Sequence, residues 1–260
     1  MVNNYRRPNK EDLENHFKEK YGNPDLVGWS PQRRFRMGYT LAGDIYEATI
    51  KNLVNNDTIW LDVGGGRALF PNNKVLSESL SGRCKRLVAV DPSSNVNENP
   101  FCHESVQTNI EEYLTKDKFD LITFRMVAEH IKEPDEVVKK IRDLLLPGGI
   151  LVIYTINKLS PIPIFTRITP LSLHYKIKKF VWGGEARDTF PVQYKMNSRS
   201  QLASLFSEGF FVVDFRLLDD VSATIHFKFL NFIEMWAWKF FKVFNVNYPE
   251  NNILAVYEKE

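Results

Sequence analysis

Cysteine is nearly missing from this chain: Cys84 and Cys102 are the only two in 260 residues, and they form no C-x-x-C pair. Two such thiols make neither a disulfide framework nor a zinc site by themselves, so a reducing compartment with two half-buried thiols is expected. An excess of one charge is missing too. The 34 Lys+Arg and 32 Asp+Glu leave a net charge of +2, too little to make nucleic acid the principal partner. No apolar run of about eighteen residues occurs, so no helix is expected to span a bilayer. Met1 to Tyr5 begins no apolar stretch of the secretory kind, and a cytoplasmic setting is the expectation. The five histidines show no H-x-x-x-H spacing, and no metal is expected. Internal repeats and low-complexity tracts are also lacking.

What is present is the composition of a globular protein, 43% hydrophobic and 25% charged. Its length suits one α/β domain with modest additions. From about Thr58 to Thr155, short β-branched runs alternate with helical stretches. Strands are predicted at 58–63, 86–90, 105–108, 119–124 and 150–155, and a helix at 74–80. Pro134, Asp135 and Glu136 suit the first turn of another helix, in which Val137, Val138, Ile141, Leu144 and Leu145 recur at helical spacing. Pro147-Gly148-Gly149 ends it. Strands apolar on both faces and separated by helices predict a parallel, doubly wound sheet. A helix at 200–207 and strands at 210–215 and 253–257 are expected to extend it. Residues 1–57 read as an N-terminal helical cap segment and 58–260 as the core, with lid insertions at about 157–198 and 221–250.

Leu61-Asp62-Val63-Gly64-Gly65-Gly66 stands where a strand gives way to a helix, the place at which doubly wound sheets bind ligands. Glycine there lets the backbone turn tightly and approach a ligand closely. A dinucleotide loop needs G-x-G-x-x-G, but the third glycine position holds Leu69. Asp62 would oppose a pyrophosphate and suits a cationic ligand. Asp91 closes the second predicted strand, where a carboxylate can take both hydroxyls of a ribose. As a residue before Pro92, it is equally a turn former.

Five motifs in order carry a resemblance: Asp62 to Gly66, Asp91, Phe119-Asp120-Leu121-Ile122, Glu129-His130-Ile131 and Leu145 to Ile150. Together they resemble class I S-adenosylmethionine-dependent methyltransferases, most of all the branch that includes the ubiquinone- and menaquinone-type enzymes. The likeness covers about residues 58–156, with a looser echo at 199–220. It implies a Rossmann-like, mostly parallel seven-stranded sheet and S-adenosyl-L-methionine as cofactor. It places Asp62, Gly64 and Gly66 at the methionine end, Asp91 at the ribose and Pro92 beside the adenosine. Arg125 and Met126 then flank the methionine moiety. Where the family usually offers the adenine an acid directly after the third strand, this sequence has Thr108-Asn109-Ile110-Glu111, and Asn109 with Ile110 is expected to take that place.

Methyl transfer is an in-line displacement, for which orientation supplies much of the rate and a base is needed chiefly by a hydroxyl acceptor. His130 beside Glu129 is the first candidate base, with His226 and His174 after it; a structural Glu129-His130 helix start is the alternative. Around the 157–198 insertion, Lys158, Arg167, Lys176, Lys178, Lys179, Arg187 and Lys195 face only Glu185 and Asp188. An acidic or carrier-bound acceptor fits that excess, as does a merely solvated face. Trp182, Tyr194 and Asn197 are expected to line the acceptor pocket. From 227 to 244 a helix is predicted. Taking about 100° per residue, Lys228, Asn231, Glu234, Lys239 and Lys242 share one arc of roughly 140°. The aromatic remainder, with Trp236, is expected to roof the pocket; a homodimer contact or a peripheral membrane contact are the alternatives. The function expected is methyl transfer to a small molecule, O-directed in specialised or cofactor metabolism. N- or C-methylation of a small or carrier-bound acceptor, or a non-catalytic partner that binds the cofactor, are the competing readings.

Overall fold

The structure, a computed structural model, describes residues 5–161, 163–164 and 191–260. Three helices precede the sheet: α1 (Lys10–Tyr21), α2 (Trp29–Met37) and α3 (Ala42–Leu53). There follow β1 (Ile59–Val63), α4 (Lys74–Arg83), β2 (Arg86–Asp91), β3 (Glu104–Gln107), β4 (Phe119–Arg125), α5 (Pro134–Leu144) and β5 (Leu145–Ile156). The described chain closes with α6 (Arg199–Leu205), β6 (Phe210–Leu218), α7 (Lys228–Val243) and β7 (Asn252–Lys259).

Seven strands form one sheet in the order β3-β2-β1-β4-β5-β7-β6. All neighbours from β3 to β5 are parallel, whereas β7 runs antiparallel to both β5 and β6. The mostly parallel, doubly wound sheet expected from the sequence is therefore present. Strand order reverses between β1 and β4, so the loops after β1 and β4 open at the point where such sheets bind ligands. Alternation along the strands feeds two cores. Leu61, Val63, Ile122 and Phe124 pack under Val137, Ile141 and Leu202 of α5 and α6 on one face. On the other, Trp60, Leu87 and Leu121 pack under Tyr46, Ile50, Leu76 and Leu80 of α3 and α4.

Local chemistry sets the boundaries. Asn73 caps α4 through the Leu76 amide at 3.1 Å, and Ser198 caps α6 by accepting from Gln201 at 3.4 Å; such caps satisfy otherwise orphaned donors. Strand β5 begins earlier than the sequence implies. Leu145 pairs with Phe119 and Ile150 with Leu121, so residues 146–149 bulge out of the ladder. Gly149 must lack a side chain there, because a Cβ would stand 2.8 Å from the Leu146 carbonyl oxygen.

The N-terminal helices are anchored by buried charge. Lys20 Nζ lies 2.7 Å from Asp44 and 2.9 Å from Glu47. Glu47 also accepts from Asn73 Nδ2 at 2.8 Å and meets His16 Nε2 at 3.0 Å. These bonds hold α1 on α3, and α3 on the cap of α4. Ahead of α1, Tyr5 donates to Asp214 of β6 at 2.6 Å.

The 227–244 helix departs from expectation. It forms, as α7, but the side turned to the protein is centred on Asn231, Met235 and Trp238. The aromatic arc faces outward, and Trp236 is 54% exposed. Polar bonds select this orientation: Trp238 Nε1 donates to Asp219 at 3.0 Å, Asn231 accepts from Arg33 at 3.2 Å and donates to Thr224 at 3.1 Å, and Tyr248 donates to Glu234 at 2.9 Å.

Candidate active site

The glycine loop after β1 is shaped by its neighbours. Gly64 donates its N–H to the Val90 carbonyl at 2.7 Å and has φ +73°, where a Cβ would lie 2.1 Å from Val127 Cγ2. Only glycine allows that approach. Gly66 has φ +42°, and the nearest atom to a Cβ built on it would be 4.0 Å away, so its outer side is open. Its N–H donates to Asp91 Oδ2 at 3.1 Å, while Ser93 N–H donates to Asp91 Oδ1 at 2.8 Å. An ionised carboxylate has about four acceptor positions, so Asp91 can accept further bonds after holding both loops. Asn99 Nδ2 donates to the Gly65 carbonyl at 3.1 Å and braces the loop from outside.

Asp62 is buried at the end of β1, in register with Thr123 of β4. Trp60 Nε1 donates to Thr123 Oγ1 at 2.7 Å, and that hydroxyl donates to Asp62 Oδ1, also at 2.7 Å. Burial pushes the Asp62 carboxyl up to about 7, against the pull of the Thr123 hydroxyl and the Arg125 charge; the Asp91 charge adds to the rise. Among the described residues no lysine or arginine forms an ion pair with Asp62. A buried carboxyl of this kind favours a cation beside it. Tyr46 of α3 stacks on Tyr154 of β5 with centroids 5.1 Å apart, and burial pushes both phenols well up.

Past β4, Met126 takes φ +55° and donates its N–H to the Tyr154 carbonyl at 2.8 Å, packing beside the cluster that holds Tyr46 and Tyr154. Ala128–His130 form a single 3-10 turn. His130 Nδ1 lies 3.1 Å from the Pro191 carbonyl oxygen. A carbonyl only accepts, so Nδ1 carries the proton and Nε2 is the basic nitrogen. Glu129 does not orient this ring as the sequence implies. Its buried carboxylate accepts from Thr155 Oγ1 at 2.6 Å, and Asn197 Nδ2 donates to that same hydroxyl at 2.8 Å and to the Ile156 carbonyl at 2.9 Å. Asn197, expected in the pocket wall, is fully buried in this bracing network. Tyr194 donates its N–H to the Glu129 carbonyl at 3.2 Å, which lays residues 193–194 over the turn.

Asp62, Gly64, Gly66, Asp91, Arg125 and Met126 thus gather at the carboxyl ends of β1, β2 and β4. Asn109 is exposed in the turn after β3, whereas Ile110 is buried in the core with Val90 and Phe124. Pro92 is exposed beside Asp91. His226 is exposed in the turn that leads into α7, and Trp236 lies on the outward side of that helix. His174, Trp182, Arg167, Lys176, Lys178, Lys179 and Arg187 lie outside the described residues. Lys195 donates to the Lys132 carbonyl at 2.5 Å. Tyr46, Asn99 and Thr123 were not legible as site residues; the register of Asp62 with Thr123 is the signal that identifies the last. Away from the loop, His16, Asp44 and Glu47 bring ligand atoms within 4.8 Å of one another, but the Lys20 ammonium holds the place a cation would take.

A model of the family described as methyltransferase domain matches residues 36–211, well over half of the chain. The chain belongs to this methyltransferase family. Ubiquinone biosynthesis O-methyltransferases are among its relatives. That of Coxiella burnetii is 36% identical over 38% of this chain and 43% of its own length. That of Glaesserella parasuis is 27% identical over 54% of this chain and 63% of its own length. The methyltransferase chain therefore spans less than two thirds of the relatives it matches. The N-methyltransferase NodS of Bradyrhizobium japonicum, solved with S-adenosyl-L-homocysteine, shares 14% identity over 96% of this chain and 97% of its own, with a TM-score of 0.47. Among the described residues no helix is long and apolar enough to cross a membrane.

The site's own atoms fit the cofactor. The open side of Gly66 admits a ligand, Asp91 retains acceptor positions for ribose hydroxyls, and Asp62 is a buried carboxyl that a cationic amino group would favour.

Proposed function

We propose that the chain methylates an oxygen of a small-molecule acceptor. S-adenosylmethionine, when bound, supplies an activated methyl carbon; the chain's residues bind, orient and exclude water. In this reading Asp91 holds the ribose, Pro92 lies beside the adenosine, and Asn109 with Ile110 borders the adenine. Asp62 meets the amino group, Gly64 and Gly66 let the backbone approach the methionine end, and Arg125 and Met126 flank it. The single observation that carries the reading is the junction of Gly66 N–H with Asp91 Oδ2 beside the buried Asp62.

A hydroxyl acceptor must lose a proton as its oxygen gains the methyl group. His130 Nε2 is the proposed acceptor of that proton, because Pro191 fixes the proton of the ring on Nδ1. Oxygen is preferred because the O-methyltransferase relatives bear that name. The test incubates the enzyme with methyl-labelled S-adenosylmethionine and matched panels of small phenols, amines and activated carbon acids. Label carried as an ether on the phenols supports the reading; label carried only on nitrogen or carbon overturns it.

A further inference from the structure

We propose that α7 is an interfacial anchor whose outward arc inserts into the surface of an anionic lipid membrane. Phe229, Phe232, Ile233, Trp236, Phe240 and Val243 lie on that arc, 47% to 73% exposed. Isolated apolar residues on a surface need no explanation, but a contiguous patch of this kind marks a site of association. Among the described residues these rings pack mainly on one another, as Phe232 on Trp236 at 6.3 Å and Phe240 on Phe244 at 4.5 Å. The helix cannot roll them inward without cost. Trp238, Asn231 and Glu234 are bonded on the inner side, and rotation would break those bonds.

Charge selects the occupant. Lys228 and Lys239 border one edge of the apolar arc, Lys242 follows further round on that side, all three are exposed, and Lys239 Nζ stands 5.8 Å from the Trp236 ring centroid. Lys242 also reaches Asp219 at 3.3 Å. The one acid of the helix, Glu234, is turned to Thr224 and Tyr248. A second copy docked antiparallel on this face about a twofold axis would bring the lysine edges together without an acid of the helix between them. Anionic headgroups complement the same edge, and aromatic rings beside lysines are the pattern of helices that lie in a membrane interface. The helix also leaves β6 and returns to β7 at the end of the sheet where β1, β4 and β5 stop. Asn157 just after β5 donates its N–H to the Asn251 carbonyl at 2.8 Å. Docking through α7 therefore brings the ligand-binding end of the sheet to the lipid surface.

The test is flotation of the full chain with phosphatidylcholine vesicles, with and without about one-third phosphatidylglycerol. Wild type is expected to float with the anionic vesicles and much less with the neutral ones. Trp236→Ser with Phe240→Ser should weaken binding about tenfold or more. Lys228→Gln with Lys239→Gln should weaken it roughly 25-fold, about fivefold for each charge. These side chains are exposed, and circular dichroism checks that both variants keep the fold. Brominated lipid should quench wild-type tryptophan emission more than that of Trp236→Phe. Wild type that stays at the bottom of the gradient overturns the proposal, as do both variants floating like wild type. A dimer in sedimentation velocity that Phe240→Ser dissociates, without flotation, assigns the face to a second copy instead. None of these readouts involves methyl transfer, so they stand or fall separately from the proposed reaction.

Discussion

The backbone N–H of Gly66 donates to Asp91 Oδ2 at 3.1 Å, tying the loop after β1 to the end of β2 through the carboxylate proposed to hold the ribose. One side chain therefore shapes the loop and offers the ligand contact. Asp91→Ala should weaken S-adenosylmethionine binding by roughly 2–4 kcal/mol, the value of two hydrogen bonds to a charged group. It also frees the amides of Gly66 and Ser93, so apo stability should fall by about 1–2 kcal/mol. Calorimetric titration alongside urea unfolding reads the two separately. Cofactor affinity equal to wild type removes Asp91 from the ribose site.

Gly64 is the tightest point of the loop. Gly64→Ala adds a Cβ 2.1 Å from Val127 Cγ2 at φ +73°. The backbone strain alone costs roughly 1–2 kcal/mol, and the collision adds to it. Gly64→Ala should lower the urea midpoint clearly. The double variant with Val127→Ala should recover the part due to collision and leave the part due to strain. Full recovery in the double variant would show that the backbone strain costs nothing.

Asp62 gives the site a pH dependence. Its carboxyl, pushed up to about 7 by burial, is largely protonated below that value and ionised above it. A bound ammonium favours the ionised form, so binding below pH 7 must first release a proton. S-adenosylhomocysteine, which keeps the amino group but has no sulfonium charge, isolates this contact. Its affinity should rise about tenfold between pH 6 and pH 8 and level off above. Asp62→Asn should bind more weakly at pH 8 and lose that dependence. A wild-type affinity flat across this range would place the amino group elsewhere.

His130 is the proposed base, through Nε2. His130→Ala should slow turnover of a hydroxyl acceptor by about 10²–10⁴ and leave cofactor affinity nearly unchanged. Stopped reactions with saturating cofactor measure the first, and calorimetry the second. Normal turnover returns His130 to a structural part in the turn after β4.

The elements that position the cofactor loop were legible because each obeys a local rule. Gly64 to Gly66 follow an apolar strand, Asp91 ends the next one, and Pro134 with two acids opens α5. The side that α7 presents was not legible. Periodicity gathers Lys228, Asn231, Glu234, Lys239 and Lys242 on one arc, but Met235 and Trp238 fall within it, and the choice of inner side depends on Asp219, Thr224, Arg33 and Tyr248, which bond Trp238, Asn231 and Glu234 from outside the helix. The partner of Glu129 was hidden for the same reason. Adjacency in sequence points to His130, while the strand register brings Thr155 to within 2.6 Å.

The last prediction concerns the buried charges that hold the N-terminal helices. Burial pushes the Glu47 carboxyl up, but the bond to His16, the Lys20 charge and the Asn73 amide together bring it below its ordinary value of 4.5. The unfolded chain therefore takes up this proton first as pH falls. Stability contributed by ionised Glu47 is complete above pH 4.5 and is lost as pH drops through the lower folded value. Glu47→Gln keeps the shape and removes the charge, so its deficit against wild type in urea unfolding should be largest near pH 7 and shrink below about pH 4.5. Lys20→Met is the complementary variant. It leaves Asp44 and Glu47 buried without their cation and should cost about 3–5 kcal/mol at pH 7. A Glu47→Gln deficit constant from pH 7 to pH 3.5 would mean that packing, not charge, holds α1 on α3.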